Sequence, residues 1–365
     1  MRHIIFDARA LQEQVDGIGR YSLGVMKAML RLKPEWNFSV IACPGGTPHL
    51  KSLPLEVIES RVPRFRPGED RKLSPLIESS GADCYLNFSM AGPRPSLPTV
   101  VTVHDVMVLT VPGYFGGSML KNLLARMVFR RRIGRSVVHA SVIAVPSDFS
   151  RMELSELFPG MNGKVCVTGE GQDLFQDLQQ PVKPVDREDF ILYVGNARAY
   201  KNVTRLIVAY SRLKAIESSF PDLRMVVRKD RAYNRFMTEL EDSHASEHIH
   251  VTSHVSDAQI RELYMKCLFL VMPSIKEGFG LPALEAMAAG TPVLASRGTA
   301  LEELVGKAGI LVDPSSIGEI MTGMAEMWTD EKLRADLSSR SRKRASGYTW
   351  ERTAGIIADG MEEII

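Results

Sequence analysis

The sequence contains no Asp-x-Asp, no Cys-x-x-Cys and no uncharged apolar run near the ~20 residues that a membrane span needs. The first absence removes the paired-carboxylate grip on a metal-bound diphosphate. The four cysteines, Cys43, Cys84, Cys166 and Cys267, are scattered and have no paired histidine spacing beside them. They predict reduced thiols and exclude a zinc site or a disulfide framework. Charge of one sign is also lacking. Forty-five basic residues against 43 acidic ones leave a formal net charge of +2, too little to argue for nucleic acid as a partner. The start, Met1-Arg2-His3-Ile4-Ile5-Phe6-Asp7, meets an acid by residue 7 and so lacks a secretory apolar region. The expectation is a cytoplasmic protein, at most peripheral to the inner face of the membrane.

What is present is alternation. A length of 365 residues exceeds what one core usually serves, so two domains are expected. Short β-rich apolar runs at 4–6, 38–42, 85–88, 100–103 and 142–145 alternate with helical patterns. A second set lies at 191–194, 224–227, 249–252, 268–272, 293–295 and 310–312. Val203, Leu206, Ile207, Tyr210 and Leu213 line one helical face. Ser256-Asp257-Ala258-Gln259 and Thr299-Ala300-Leu301-Glu302 both read as capping boxes. Strand–helix alternation of this kind predicts two α/β domains with parallel sheets covered on both faces. Residues 176–189 carry two prolines, many charges and little apolar content, which is linker chemistry. They part a first domain, 1–176, from a second, 190–347, with a terminal helical segment at 348–365. Open α/β sheets bind ligands at the carboxyl ends of their strands, so two facing sheets would place a site in the cleft they enclose.

The most informative stretch is Pro273-Ser274-Ile275-Lys276-Glu277-Gly278-Phe279-Gly280-Leu281-Pro282-Ala283-Leu284-Glu285-Ala286-Met287-Ala288-Ala289-Gly290-Thr291-Pro292-Val293. It follows an apolar strand and turns through Gly278 and Gly280. Pro282 suits a first helical turn, where its missing N–H would be unpaired anyway. Gly290 suits the C′ position that ends the helix. Backbone amides around Gly280 and Leu281 would then lie at a helix N-terminus, where an anion is favoured. Glu277 precedes the helix and Glu285 lies about one and a half turns into it, so the two carboxylates can reach opposite ends of a diphosphate ligand. A Glu-x7-Glu by itself is usually a turn and a solvated helix carrying two incidental acids. Here strand, glycines, proline and terminating glycine are all in register.

Glu-Gly-Phe-Gly-Leu-Pro-x-Leu-Glu-Ala-Met-Ala-x-Gly-x-Pro-Val resembles the signature of family 4 glycosyltransferases of the GT-B type. The resemblance implies two Rossmann-like domains facing across a cleft, the first binding acceptor, the second binding a nucleotide-sugar donor, and a terminal helix packing back on the first. It implies that Glu277, with Gly278, Phe279, Gly280 and Leu281, meets the donor sugar and phosphates, and that Glu285 binds the ribose. Tyr193-Val194-Gly195-Asn196-Ala197-Arg198-Ala199-Tyr200-Lys201-Asn202 resembles the family's diphosphate clamp, which assigns Arg198 and Lys201 to the leaving phosphates. Two cations at that spacing can neutralise both phosphates. Thr99-Val100-Val101-Thr102-Val103-His104-Asp105 ends a strand in the position of the family's histidine, so His104 would orient a sugar hydroxyl while Asp105 fixes it or caps the next segment. Asp16-Gly17-Ile18-Gly19-Arg20-Tyr21 resembles the family's early glycine loop. There Gly17 and Gly19 would let backbone approach phosphate or acceptor. It is not a dinucleotide fingerprint, since Ser22 stands in the third glycine's place. Thr299-Ala300-Leu301-Glu302-Glu303-Leu304 resembles the next turn and would bring Glu303 towards the nucleotide. One departure stands out: Arg228 occupies a place where the family usually has glycine.

The resemblance implies a retaining hexosyl transfer without metal or cofactor. Positive charge from Arg198, Lys201 and the helix terminus would stabilise an oxocarbenium-like transition state leaving a diphosphate. The leaving phosphate would accept the acceptor's proton. Asp7-Ala8-Arg9 with Gly17-Ile18-Gly19-Arg20-Tyr21 is similar to bacterial polysaccharide mannosyltransferases and favours GDP-mannose as donor, with UDP-linked sugars open. The acceptor expected is a glycan or lipid-linked saccharide. A non-catalytic nucleotide-sugar binder and a nucleotide-sugar epimerase are the readings from other classes. Residues 121–135 form a basic, partly amphipathic helix pattern, which fits an anionic membrane surface or a domain helix with a solvated basic face. No aromatic platform accompanies it, which speaks against nucleic acid.

Overall fold

The computed structural model describes residues 2–161, 164–175, 187–243 and 246–365, in two compact units. The first comprises the chain up to Gly171 together with Thr349–Ile365, and the second comprises Gln172–Tyr348. The expected linker at 176–189 lies outside the described residues except for its last three. Of those, Arg187 is fixed, donating to the carbonyls of Cys267 at 2.6 Å and Gly290 at 2.7 Å.

The first unit is built on seven parallel strands: β1 (His3–Asp7), β2 (Asn37–Ala42), β3 (Glu56–Glu59), β4 (Cys84–Asn87), β5 (Thr99–Thr102), β6 (Val142–Val145) and β7 (Val165–Val167). Their order is β3-β2-β1-β4-β5-β6-β7. Strands β4, β5 and β6 are buried at every residue, which is why they read as continuous apolar runs with no alternation. Strand β3 escapes sequence reading because it is a sheet edge: Glu56 and Glu59 are exposed, and charge on an edge strand blocks unwanted pairing. Strand β7 has only three residues, too few for any period to show.

Helices α1 (Gly17–Leu32), α2 (Glu69–Ser79), α3 (Met107–Thr110), α4 (Met119–His139) and α5 (Asp148–Leu157) connect the strands. Asp16 caps α1 by accepting from the Gly19 amide at 3.0 Å. At the end of β1, Arg9 reaches both Asp7 (2.7 Å) and Glu69 (2.8 Å), with Tyr85 donating to Asp7 at 2.8 Å. All four side chains are buried. Burial alone would raise the Asp7 carboxyl, but the Arg9 charge and the hydrogen bonds from Arg9 and Tyr85 outweigh it and hold it below the ordinary value.

The last helix, α13 (Trp350–Glu362), belongs to this unit although it follows the second in sequence. Its Trp350 is buried against α1 at Gly24, where a Cβ would lie 2.3 Å from the indole ring. A Cβ at Gly171 would lie 2.3 Å from the Trp350 amide nitrogen. These two glycines make the slot the indole occupies.

The second unit has six parallel strands, β8 (Phe190–Gly195), β9 (Asp222–Val227), β10 (Ile249–Thr252), β11 (Phe269–Met272), β12 (Val293–Ser296) and β13 (Ile310–Val312). Their order is β10-β9-β8-β11-β12-β13. Both sheets therefore reverse direction once, beside β1 in the first and beside β8 in the second. The helices of this unit are α6 (Val203–Ile216), α7 (Tyr233–Glu241), α8 (Asp257–Lys266), α9 (Leu281–Ala288), α10 (Ala300–Val305), α11 (Ile317–Thr329) and α12 (Glu331–Ala345). All five residues of the expected α6 stripe are buried. Leu174 and Phe175, assigned by sequence to the first domain, pack in the core of the second, where Phe175 meets Tyr264. The box at Ser256 closes reciprocally with Gln259. The one at Thr299 does not: its hydroxyl caps Leu301, while Glu302 turns to the Gly298 amide at 2.7 Å.

Candidate active site

Parallel sheets of this order bind ligands where the strand order reverses, beyond the carboxyl ends of the strands. In the second unit that point lies beside β8 and β11, and the two turns leaving these strands carry Arg198, Lys201 and Glu277. The turn after β8 passes through a short 3₁₀ segment, Ala199–Lys201, into Asn202. Asn202 is buried and held at φ +62°, a conformation costly for any residue but glycine and tolerated best by asparagine and aspartate. Its side-chain Nδ2 donates to the carbonyls of Pro273 (2.8 Å) and Pro314 (2.7 Å). The Ile275 amide donates to the Tyr200 carbonyl at 2.7 Å. The two turns are thus tied together by one backbone bond and the Asn202 side chain, independently of the charged side chains.

Lys201 Nζ lies 2.6 Å from Glu277 Oε1, with both side chains largely buried. Arg198 Nε lies 2.8 Å from Asp230 Oδ2, on the segment after β9. Sequence reading paired the two cations with a ligand and did not see that each already has a carboxylate. Asp230 carries no motif of its own; only the strand order brings it within reach of Arg198. The arrangement sets each of the two cations against one carboxylate.

Gly280 begins α9 at φ +113°, and a Cβ there would also lie 2.4 Å from Leu301. Both backbone angle and space demand glycine. Pro282 is in the first turn of α9 and Gly290, at φ +77°, follows its end, as the sequence pattern requires. Leu281 is thus the first residue of α9, Gly278 and Phe279 form the approach to it, and Phe279 is buried against Tyr348. Glu285 is buried on α9 and accepts from Tyr264 Oη at 2.9 Å. Glu303 lies on α10, half-buried. Arg228 extends the β9 end, its amide donating to Gly195 at 2.9 Å.

In the first unit, His104 follows β5 and is mostly buried. Its Nε2 is 3.3 Å from the Phe88 carbonyl and its Nδ1 is 3.5 Å from Glu170 Oε1. The ring of Tyr21 meets the imidazole edge-on at 4.6 Å between centroids. The imidazole thus stands between a carbonyl at one nitrogen and a carboxyl at the other. Burial raises the Glu170 carboxyl above its ordinary value, and the hydrogen bond to His104 offsets only part of that. Asp105 takes the capping role instead, accepting from the Met107 amide at 2.8 Å. Glu170 was missed by sequence reading because it follows the three-residue β7 and meets His104 across 66 positions. Gly17 and Gly19 form the first turn of α1, and the Gly19 amide is occupied by Asp16.

Residues 175–344, nearly all of the second unit, match the family model described as Glycosyl transferases group 1. Over 378 aligned positions the chain is 26% identical to the O-antigen chain mannosyltransferase B of Escherichia coli, covering 95% of this chain and 96% of that protein. It is 29% identical to the serotype-specific mannosyltransferase WbdA of Escherichia coli over 180 positions, which cover 49% of this chain and 22% of the longer WbdA. Among solved structures, WaaG, described as a glycosyltransferase involved in lipopolysaccharide biosynthesis, superposes with a TM-score of 0.74 over 98% of each chain at 18% identity. That likeness is one of fold.

Proposed function

Because residues 175–344 are a Glycosyl transferases group 1 domain, we propose that the protein is a retaining glycosyltransferase that moves mannose from GDP-mannose to a glycan or lipid-linked saccharide of a surface polysaccharide. The observation that carries this is the ion pair of Lys201 with Glu277, with Arg198 on the same turn and the N-terminus of α9 beside it. In this reading the second unit takes the donor and the first takes the acceptor.

A diphosphate entering at α9 competes with Glu277 and Asp230 for the two cations. Lys201 and Arg198 then turn to phosphate oxygens, and Glu277 is released to accept from hydroxyls of the sugar. Glu285, steadied by Tyr264, accepts from the ribose diol. As the bond from the anomeric carbon to the phosphate oxygen breaks, negative charge grows on the diphosphate and positive charge on the sugar ring. The fixed cations and the helix terminus stabilise the first without reorganising, an arrangement in which losing one donor group typically costs ~10²–10³ in rate. The acceptor oxygen bonds to the anomeric carbon on the face the phosphate leaves, and its proton passes to the departing phosphate oxygen. His104, held by Glu170 and Phe88, orients a sugar hydroxyl.

The test is thermal shift with GDP-mannose and with UDP-linked hexoses, followed by assay of free nucleoside diphosphate in the presence of acceptor. A ligand at 100 times its dissociation constant adds ~2.7 kcal/mol to folded-state stability. Stabilisation by GDP-mannose that Arg198→Ala abolishes, with release of GDP, supports the reading. Stabilisation by a UDP-sugar alone moves the donor assignment. Binding without release, with any acceptor, makes the chain a nucleotide-sugar binder.

A further inference from the structure

The sequence of α4 allowed two readings, a domain helix with a solvated basic face or a helix lying on a membrane. In the structure the inner face, with Asn122, Ile133, Ser136 and Val137, is buried in the first unit. The outer face is not basic alone. Leu120, Leu123, Leu124, Met127 and Val128 are all more than half exposed, Leu120 at 65% and Met127 at 61%, and Met119 before them reaches 89%. They are the largest exposed apolar cluster among the described residues, and a monomeric surface rarely leaves such a patch without use.

Its charge is one-sided. Met119–His139 holds six Lys and Arg residues and no acid. Arg126 and Arg130 are spent on the carbonyls of Leu109 and Leu157. Arg131, Arg132 and Arg135 have no carboxylate partner among the described residues. These three border two adjoining hollows that share Arg94 and Arg135. One, of about 900 Å³, is lined by the apolar Met127, Val138 and Phe158 with arginines at its rim. The other, of about 190 Å³, brings Arg66, Arg132 and Arg135 together. Its two acids are already engaged: Glu69 accepts from Arg9 and Asp70 from Arg94. The small hollow therefore presents unmatched guanidinium groups, which suit phosphate oxygens, beside an apolar strip.

We propose that the outer face of α4 docks the protein on the surface of an anionic phospholipid bilayer, with Leu120, Leu123, Leu124 and Met127 entering the interface and Arg131, Arg132 and Arg135 meeting lipid phosphates. An interfacial helix of this kind combines buried apolar area with attraction to anionic headgroups. A second copy of the chain is a poor occupant, because it would set arginine against arginine. The proposal is independent of the transferase reading: failure to bind any nucleotide sugar leaves it standing, and failure to bind vesicles leaves the donor site untouched.

The experiment is flotation of the full chain with vesicles of phosphatidylcholine alone and of phosphatidylcholine mixed with phosphatidylglycerol, at low and high salt. Wild type is expected on the mixed vesicles only, and less so as salt rises. Each basic residue near such a surface is worth about fivefold in binding, so Arg131→Ser/Arg132→Ser/Arg135→Ser together should weaken it on the order of a hundredfold. Leu120→Ser/Leu124→Ser/Met127→Ser should weaken it too, and both triples, made at exposed or rim positions, should melt like wild type. In an otherwise native chain, Leu124→Trp should shift its emission to the blue on mixed vesicles. Absence of wild-type binding, or binding by either triple equal to that of wild type, overturns the proposal. So does light scattering that finds a dimer which the apolar triple dissolves, since the face would then be covered by a second copy.

Discussion

Gly24→Ala tests the packing that returns α13 to the first unit. A Cβ at Gly24 would sit 2.3 Å from both Cδ2 and Cε2 of Trp350 and 2.7 Å from Nε1. Carbon atoms in contact keep about 3.5–4.0 Å apart, so the indole must retreat by more than an ångström. It has nowhere to go: the Gly171 side of the slot is as tight, and Tyr21 packs edge-on against the ring at 5.7 Å. Overpacking of a rigid core typically costs about 1–3 kcal/mol, and the backbone on one side of this slot puts the substitution at the upper end. Trp350→Ala, which empties the slot, should cost about 3–5 kcal/mol. The assay is urea unfolding followed by tryptophan fluorescence in a Trp328→Phe background, because Trp328 is the one tryptophan of the second unit and Trp36 and Trp350 report on the first. Gly24→Ala should lower the midpoint of that signal. With Trp350→Leu added, the combined loss should fall short of the sum by ~0.5–3 kcal/mol, since both changes act on one contact. An unchanged midpoint in Gly24→Ala, or strict additivity, would refute the argument that this glycine exists to admit the indole.

Three further variants test the buried charges. Glu170→Gln removes a carboxyl whose folded-state value is raised by burial, so the wild-type glutamate loses folded-state stability as pH rises from the ordinary carboxylate range through that raised value. The glutamine variant should therefore gain urea resistance over wild type at pH 8 and little at pH 4. Its turnover should nevertheless fall by up to about 10²-fold, the scale of displacing a site group such as His104 by an ångström. Donor binding should stay unchanged, and a variant as active as wild type would show that His104 does not need this partner. Arg9→Met strands Asp7 and Glu69 as buried carboxylates and should cost about 3–5 kcal/mol. Asp7 is held low, so its contribution is present above the ordinary carboxylate range and lost as pH falls through the folded value. The stability gap of Asp7→Asn to wild type should accordingly close towards acid, and a gap that stays constant down to the acid transition would contradict the assignment.

Much of the second unit was legible because its chemistry is local. The β11 run, Gly280, Pro282 and Gly290 each act within a few residues of themselves, and the structure puts them at a strand, a left-handed N-cap, a first turn and a helix stop. The buried parallel strands were legible for the same reason, since burial on both faces leaves an unbroken apolar run. Local pattern fails where a strand is short or polar, as at β7 and β3, and where a box competes with another amide, as Glu302 does with Gly298. Partners distant in sequence were wholly hidden. Asp230 beside Arg198, Glu170 beside His104, and the Asn202 side chain binding Pro273 and Pro314 carry no spacing signal, because strand order sets their neighbours.

By itself, then, the sequence determined the buried strands and the helix stripes packed on them, where the glycine-bounded turn of α9 lies and which residues there bear charge. It also determined that residues 121–135 form a basic, partly amphipathic helix. Only the tertiary structure decided that Lys201 meets Glu277, that the indole of α13 sits in a slot made by Gly24 and Gly171, and that the apolar stripe of α4 points away from the core. Periodicity records the angle between residues on a helix, whereas which angle faces inward is set by the sheet against which the helix packs.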